Sequence, residues 1–240
     1  MIEKITIAID AMGGENAPKK TIEGINLFIK HNKKKNDFFF NIYGDENQIM
    51  THIDKFNIAN KYYKIFNTFD VISDEETPLT AIKNSKNSSM WNSINSQKIH
   101  NSDISLSAGN TGVLLVISRM ILKTMDQISK PALAGLWPNK KNLNVVLDLG
   151  ANIECDENNL LDFSKLGSAL YKSLFPNEIV KIALLNIGSE EIKGTEIIKK
   201  TFVKIKELEK NADFKFNGYI EGNKIMDGNS NVIVTDGFTG

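Results

Sequence analysis

The sequence predicts an α/β fold in which helices flank a largely parallel β-sheet. Six short apolar runs, each typical of a buried strand, end in a small polar residue and a glycine. Helical patterns separate these runs, and strand–helix alternation at this spacing favours βαβ units with right-handed crossovers. The predicted strands are residues 5–10, 38–43, 104–108, 145–148, 182–187 and 232–236.

Helical patterns fill five of the intervals between these strands. Pro18 suits a first helical turn, because the N–H that proline lacks would have no partner there. The predicted helices are residues 18–30, 80–98, 112–125, 160–174 and 195–211. We predict one α/β domain over residues 1–240, and we expect it to be shortened at its C-terminus, because a helix normally follows a strand-end loop such as 236–240.

Composition and charge argue against several functional classes of protein. Lys and Arg number 29 and so do Asp and Glu, so the formal net charge is zero and a sequence-wide basic field for nucleic acid is absent. A single cysteine, Cys155, excludes an internal disulfide and a cysteine-cluster metal site. We expect no metal and no cofactor.

The N-terminus lacks the pattern of a signal peptide, and we expect a cytoplasmic protein.

The segment 107–112 (SAGNTG) is the sharpest motif. It lies between a predicted strand and an apolar helix, where parallel sheets bind ligands. Gly109 and Gly112 permit a tight turn, Asn110 and Thr111 offer side-chain donors, and the helix end attracts anions. A helix N-cap with glycines kept for packing explains the same residues equally well.

A second candidate loop follows the strand at 182–187. Asn186 stands at the strand end, and Ser189 and Lys193 follow it in the segment 186–194 (NIGSEEIKG). A lysine can hold phosphate as a point charge, whereas a solvated surface loop would account for the two glutamates. We favour a functional role for Lys193.

Aspartates occupy three further strand ends. Asp10 precedes a glycine pair, Asp148 lies in the segment 147–152 (LDLGAN) with Asn152, and Asp236 begins the segment 236–240 (DGFTG) with Thr239. Each carboxylate can orient neighbouring backbone groups or hold a lysine, and capping of the next helix is at least as good an explanation. The phosphate-binding P-loop, the dinucleotide fingerprint and the nucleophile elbow are all absent from the sequence.

Taken together, these motifs closely resemble the acyl-acyl-carrier-protein phosphate acyltransferases of bacterial phospholipid synthesis. Their order and spacing along the chain carry the resemblance. The matching segments are 10–14 (DAMGG), 88–90 (SSM), 107–112, 131–134 (PALA), 147–152, 184–191 (LLNIGSEE), 193–194 (KG), 221–222 (EG) and 236–240.

The resemblance implies transfer of a long-chain fatty acyl group from acyl carrier protein to inorganic phosphate, giving acyl phosphate for phosphatidic acid synthesis. It also implies a Rossmann-like three-layer α/β/α sandwich, related to phosphotransacetylases and to isocitrate and isopropylmalate dehydrogenases. A homodimer is implied as well. Peripheral contact with the cytoplasmic membrane is expected through a C-terminal part beyond residue 240.

For this reaction we hypothesise that phosphate lies at Gly109, Asn110, Thr111 and Gly112, with Ser189 and Lys193 closing over it. Asn152 and Asn186 are candidate donors to the carbonyl, so the catalytic candidates are Asn110, Asn152, Asn186 and Lys193. The supporting residues would be Asp10, Asp148, Asp236 and Thr239. Alternatives are an inactive carrier-protein or membrane scaffold of the same fold, a phosphotransacylase acting on a coenzyme A thioester, and a dehydrogenase of related fold.

Overall fold

The structure, a computed structural model, describes residues 4–32, 37–73, 76–77, 80, 85–190 and 192–240. Contacts divide the chain into unit 1, Met1–Lys123, and unit 2, Thr124–Gly240, and each is described by itself. A single domain over residues 1–240 stays a prediction.

The described part of unit 1 contains a four-stranded sheet in the order β3-β2-β1-β4. All three strand pairs are parallel, with Ile7 of β1 level with Phe40 of β2 and Ile104 of β4. The strands are β1 (Ile5–Asp10), β2 (Phe38–Gly44), β3 (Tyr63–Asn67) and β4 (Ile104–Leu106).

Helices pack on both faces of this sheet. Successive side chains of a strand point to opposite faces, so Ile7 and Ile9 face α1 and α2 in one apolar core. Ser105, which is level with Ala8 on the other face, donates to the Ser93 carbonyl of α3 at 2.9 Å. The helices are α1 (Lys19–His31), α2 (Glu46–Phe56), α3 (Ser89–Lys98) and α4 (Thr111–Leu122), and 3-10 turns cover Asn60–Tyr62 and Ser85–Asn87.

Unit 2, over its described residues, contains a five-stranded sheet in the order β5-β6-β9-β7-β8. The edge strand β5 is antiparallel to β6, and the remaining pairs are parallel. The strands are β5 (Ala134–Pro138), β6 (Leu143–Leu147), β7 (Val180–Leu185), β8 (Phe214–Ile220) and β9 (Val232–Val234).

Two helices, α5 (Glu157–Leu174) and α6 (Glu196–Glu209), cover one face of the second sheet. Asp156 begins α5 with a capping box, since its side chain accepts from the N–H of Asn159 while the Asn159 side chain accepts from the N–H of Asp156. The 3-10 helix Gly222–Asp227 packs on the other face through Ile225. This arrangement brings the carboxyl ends of β6, β9 and β7 to one edge of the sheet.

The predicted fold class is confirmed, because the protein is α/β with mostly parallel sheets. The six predicted strands are present, most ending one to two residues earlier than expected. The structure contains four further elements that the sequence patterns did not predict: α2, β3, β5 and β8. Within the stretch predicted as one helix, 80–98, the described residues show the 3-10 turn Ser85–Asn87 and α3, and residues 81–84 lie outside the described residues.

Candidate functional site

The first candidate site lies where the strand order of unit 1 reverses. β2 pairs with one side of β1, and β3 pairs with the outer side of β2. The next strand in the chain, β4, pairs with the opposite side of β1. In open parallel sheets, ligands bind in the crevice outside the carboxyl ends of strands at such a reversal. The loops that follow β1 and β4, residues 10–14 and 107–112, lie at this position.

A hydrogen-bond relay joins these two loops. Asp10, which is 2% exposed, accepts the hydroxyl of Ser107 at 2.6 Å, and the Ser107 oxygen accepts the N–H of Gly109 at 3.1 Å. A side chain on Gly13 would not fit, because its Cβ would lie 2.6 Å from Asp10 Oδ2 and 2.8 Å from the Gly109 nitrogen. The relay therefore holds the backbone of Gly109 in one position.

Asn110 begins α4. Its Oδ1 accepts the N–H of Val113 at 3.1 Å, and its carbonyl accepts the N–H of Leu114 at 2.9 Å. First-turn N–H groups of a helix, here those of Thr111 and Gly112, have no acceptor within the helix, and both residues are exposed. The structure thus shows the N-cap, and anion binding by this turn stays a prediction.

The centre of the candidate site in unit 2 is the carboxylate of Asp148, which is fully buried. Its Oδ1 accepts the N–H groups of Leu133 at 2.9 Å and Ala151 at 3.2 Å. Its Oδ2 accepts the N–H of Asn152 at 2.7 Å and the Asn152 side-chain amide at 2.8 Å. Asp148 therefore orients two loops, and its supporting role in catalysis stays a prediction.

Asn152 connects this centre to the loop after β9. Its carbonyl accepts the N–H of Gly237 at 2.9 Å, and its side-chain amide also donates to the Pro131 carbonyl at 2.7 Å. Asp236 Oδ1 accepts the N–H groups of Phe238 at 3.1 Å and Thr239 at 2.8 Å. Donation from Asn152 to a reacting carbonyl stays a prediction, since both amide hydrogens here hold loops together.

Asn186 organises the loop after β7. Its side-chain amide donates to the carbonyls of Gly188 at 3.1 Å and Lys193 at 3.2 Å. Gly194 has φ +95°, and a Cβ there would lie 2.5 Å from Asn186 Oδ1. This loop conformation therefore needs glycine at 194 beside the asparagine.

Lys193 presents a cation on the same loop. Its Nζ lies 2.9 Å from Glu190 Oε1, and both side chains are about half exposed. The hydrogen bond with Glu190 raises the pKa of Lys193 and lowers the pKa of Glu190, so both groups stay charged near neutral pH. Ser189 is exposed beside them, and Glu191 lies outside the described residues.

The predicted site residues therefore form one group in unit 1 and two groups in unit 2. Asp10, Gly109, Asn110, Thr111 and Gly112 belong to unit 1. In unit 2, Asp148, Asn152, Asp236 and Thr239 belong to connected loops, and Asn186, Ser189 and Lys193 to the loop after β7. Ser107 was missed as a separate candidate, although its place at a strand end opposite Asp10 is a signal for it.

Neither a metal-binding cluster nor a membrane-spanning helix is present among the residues that the structure describes. Within those ranges, no group of three or more His, Cys, Asp or Glu side chains could hold a metal ion. Among the helices that the structure describes, none combines the length and apolar character needed to cross a bilayer.

Comparisons with known proteins agree on one family. The family model described as "Fatty acid synthesis protein" matches residues 5–240. The "Phosphate acyltransferase" of Pelagibacter ubique is 53% identical over 240 residues, covering 100% of this chain and 70% of the relative. That of Ehrlichia ruminantium is 41% identical over 236 residues, covering 98% of this chain and 69% of the relative.

Solved structures share the fold. A phosphotransacetylase from Streptococcus pyogenes superposes with a TM-score of 0.70 at 15% identity, covering 99% of this chain and 79% of its own. The EutD phosphotransacetylase from Staphylococcus aureus gives 0.66 at 13% identity, covering 97% of this chain and 78% of its own. At these identities the likeness concerns the fold.

Proposed function

The chain belongs to the fatty acid synthesis protein family, whose curated relatives are phosphate acyltransferases, and we propose that its acyl donor is a long-chain acyl-carrier-protein thioester. The protein is an acyltransferase that uses phosphate as acceptor. The proposed product is an acyl phosphate that supplies phosphatidic acid synthesis.

The proposed reaction needs little general acid or base catalysis from side chains. A phosphate oxygen attacks the thioester carbonyl carbon, the new C–O bond forms, the C–S bond breaks, and the thiolate leaves and takes a proton from solvent. Orthophosphate is partly a dianion near neutral pH, and a thiol with a pKa of about 8.5 is a tolerable leaving group. The protein must hold phosphate in place and stabilise the oxyanion.

In unit 1, we assign phosphate binding to Gly109, Asn110, Thr111 and Gly112. The observation that carries the proposal is the position of this turn, at the strand-order reversal between β1 and β4 and at the start of α4. The relay from Asp10 through Ser107 supports it, because it engages the Gly109 N–H and fixes the backbone before the turn, so that the N–H groups of Thr111 and Gly112 need no rearrangement when phosphate arrives.

In unit 2, we assign phosphate contacts to Ser189 and Lys193, and donation to the oxyanion to Asn152 and Asn186. For this step each amide exchanges one present acceptor, the carbonyl of Pro131 or of Lys193, for the oxyanion. Lys193 is half exposed and paired with a surface glutamate, an interaction that solvent screens strongly, so the lysine can exchange Glu190 for phosphate. Asp148, Asp236 and Thr239 keep the surrounding loops in place.

The test measures acyl phosphate by ³¹P NMR with palmitoyl-acyl carrier protein and phosphate as substrates. We expect Lys193→Ala and Asn110→Ala each to raise the KM for phosphate about tenfold, equivalent to about 1.4 kcal/mol. Two variants outside the proposed phosphate contacts serve as controls. Lys199→Ala removes a lysine that pairs with Glu196 at the same i,i+3 spacing, and Thr195→Ala removes the side chain that caps the start of α6. An unchanged phosphate KM in both site variants would show that the assignment is wrong.

The donor is tested separately. The same assay with palmitoyl-coenzyme A distinguishes a carrier-protein enzyme from a coenzyme A phosphotransacylase, and we expect a higher kcat/KM with the carrier protein. Formation of no acyl phosphate from either donor would favour the non-catalytic scaffold.

Homodimer formation, a cytoplasmic location and peripheral membrane contact complete the proposal. They are supported by the family resemblance. Sedimentation equilibrium tests the dimer, and flotation with vesicles containing anionic lipid tests the membrane contact.

A further inference from the structure

Large apolar side chains are exposed on the strand-end loops of unit 2. Ile153 follows β6, Ile187 and Ile192 follow β7, and Phe238 follows β9, and these four are between 69% and 83% exposed. We name these four residues the apolar rim. Water contact of this extent for four large apolar side chains is unfavourable, and apolar side chains that are exposed on neighbouring loops can form a binding surface.

Each member of the apolar rim adjoins a residue of the proposed site. Ile153 follows Asn152, Ile187 follows Asn186, and Ile192 precedes Lys193. Phe238 donates its backbone N–H to Asp236 at 3.1 Å. β9 lies between β6 and β7, so at a strand spacing of about 4.8 Å the three loops start within about 10 Å of one another.

A cavity of about 560 Å³ opens beside this edge within unit 2. Ile153, Ile197 and Cys155 supply apolar lining, and Lys130 and Asp236 are among its polar residues. The volume falls within the range of about 300–1,000 Å³ that is typical of small-molecule sites. The cavity thus extends the apolar rim towards the N-terminal end of α6.

We propose that the apolar rim and this cavity bind the fatty acyl chain of the substrate. The inference rests on the proposed function, since the thioester must react at the polar residues of the same loops. A fatty acyl thioester combines a polar reacting group with a long apolar chain. The alternation of polar and exposed apolar residues along these loops matches that chemistry, and the open cavity adds apolar surface from Ile153 and Ile197 for the chain to lie against.

Acyl-chain length is the quantity that the apolar rim should control. Each methylene removed from water strengthens binding about fourfold, equivalent to about 0.8 kcal/mol. Wild-type kcat/KM should therefore rise from octanoyl- to palmitoyl-acyl carrier protein. Replacing an apolar rim residue with serine should flatten this rise without changing the KM for phosphate.

The experiment compares Ile153→Ser and Phe238→Ser with Ile179→Ser. Ile179 is 56% exposed and lies directly before β7, at the opposite edge of the sheet, so it controls for loss of an exposed apolar side chain. We expect the two apolar rim variants to lose roughly tenfold in kcat/KM with the palmitoyl donor and less than about threefold with the octanoyl donor. Ile179→Ser should keep the wild-type ratio.

Alkylation of Cys155 provides a second measurement. It is the single cysteine of the chain and lines the cavity, so iodoacetamide reports on occupancy in the full protein. We expect palmitate to slow alkylation and octanoate at the same concentration to leave the rate unchanged. In Ile153→Ser, protection by palmitate should weaken.

Two results would overturn the inference while leaving the proposed function intact. One is an unchanged chain-length profile in both apolar rim variants of an active enzyme. The other is loss of vesicle flotation or of the dimer in these variants with the profile unchanged, which would assign the apolar rim to a membrane or to a second copy. Absence of acyl phosphate from the wild-type protein would instead remove the proposed function itself.

Discussion

Asp148 and Asn152 form a closed pair at the end of β6. One carboxylate oxygen of Asp148 accepts both the backbone N–H of Asn152, at 2.7 Å, and its side-chain amide, at 2.8 Å. The second oxygen accepts from Leu133 and Ala151, so a buried carboxylate is matched by four N–H donors. This pairing satisfies the buried charge and holds the loop that carries Asn152.

Asp148→Asn should destabilise unit 2. The new amide would place N–H groups against backbone N–H donors in a buried site, at a cost of about 2–4 kcal/mol in the free energy of unfolding. Urea denaturation followed by circular dichroism measures this change in the free energy of unfolding. Asp236→Asn is the control, because its Oδ1 still accepts from Phe238 and Thr239 at the surface, and it should cost less than about 1 kcal/mol. Equal losses would contradict the prediction.

Replacement of two helical glycines with alanine should change the free energy of unfolding in opposite directions. A Cβ on Gly167 in α5 would lie 2.7 Å from Val232 Cγ1 and 2.8 Å from Leu147 Cδ2, whereas one on Gly24 in α1 would meet nothing within 4 Å. Gly167→Ala should lower the free energy of unfolding by about 1–3 kcal/mol. Gly24→Ala should raise it by about 0.5–1 kcal/mol, because alanine favours helices. Thermal unfolding distinguishes the two, and stabilisation by Gly167→Ala would show that α5 does not pack this closely.

Ser107→Ala should weaken phosphate binding. Without the hydroxyl, the Gly109 N–H loses its acceptor and Asp10 Oδ2 loses its donor, so we expect the KM for phosphate to rise about two- to tenfold, equivalent to about 0.5–1.5 kcal/mol. Ser105→Ala removes a similar hydrogen bond from the same strand face, to Ser93, and should leave that KM unchanged. If both variants raise the KM equally, the effect belongs to the strand rather than to the relay.

The contact between buried Tyr171 and exposed Glu178 should make the free energy of unfolding depend on alkaline pH. Burial, with the nearby carboxylate of Glu178, raises the pKa of Tyr171 to about 12 from its usual 10.0. The folded state keeps the proton that the unfolded chain releases, so this contribution is complete below about pH 10 and is lost as pH rises towards 12. The stability difference between wild type and Tyr171→Phe should therefore narrow between about pH 10 and 12, and a constant difference would contradict the shift.

Local sequence was enough to predict the strands and helices whose apolar patterns are strong. The apolar runs that form β1, β2, β6, β7 and β9 are buried central strands, and buried strands read as continuous apolar segments. The missed strands carry weaker signals. β5 is an exposed edge strand containing Gly135 and Pro138, and β8 contains Asn217 and Gly218 and pairs with β7 through a register shift.

The missed helix α2 did carry a usable signal. Asp45 caps it by accepting the N–H of Gln48, and Ile49 and Ile53 are spaced by one helical turn. Its remaining residues are mostly polar, so its periodicity is less evident than that of α1.

The fold class, the family and the residue types at each strand end follow from the amino-acid sequence, because they depend on local pattern and on motif order. Three relations became known from the folded chain: β9 lies between β6 and β7, Asp10 accepts from Ser107, and the amides of Asn152 and Asn186 donate to the carbonyls of Pro131 and Lys193. Local patterns do not predict them, because they join residues that are distant in the chain or that a specific turn brings together, and it is strand pairing and packing that place such atoms within hydrogen-bond distance.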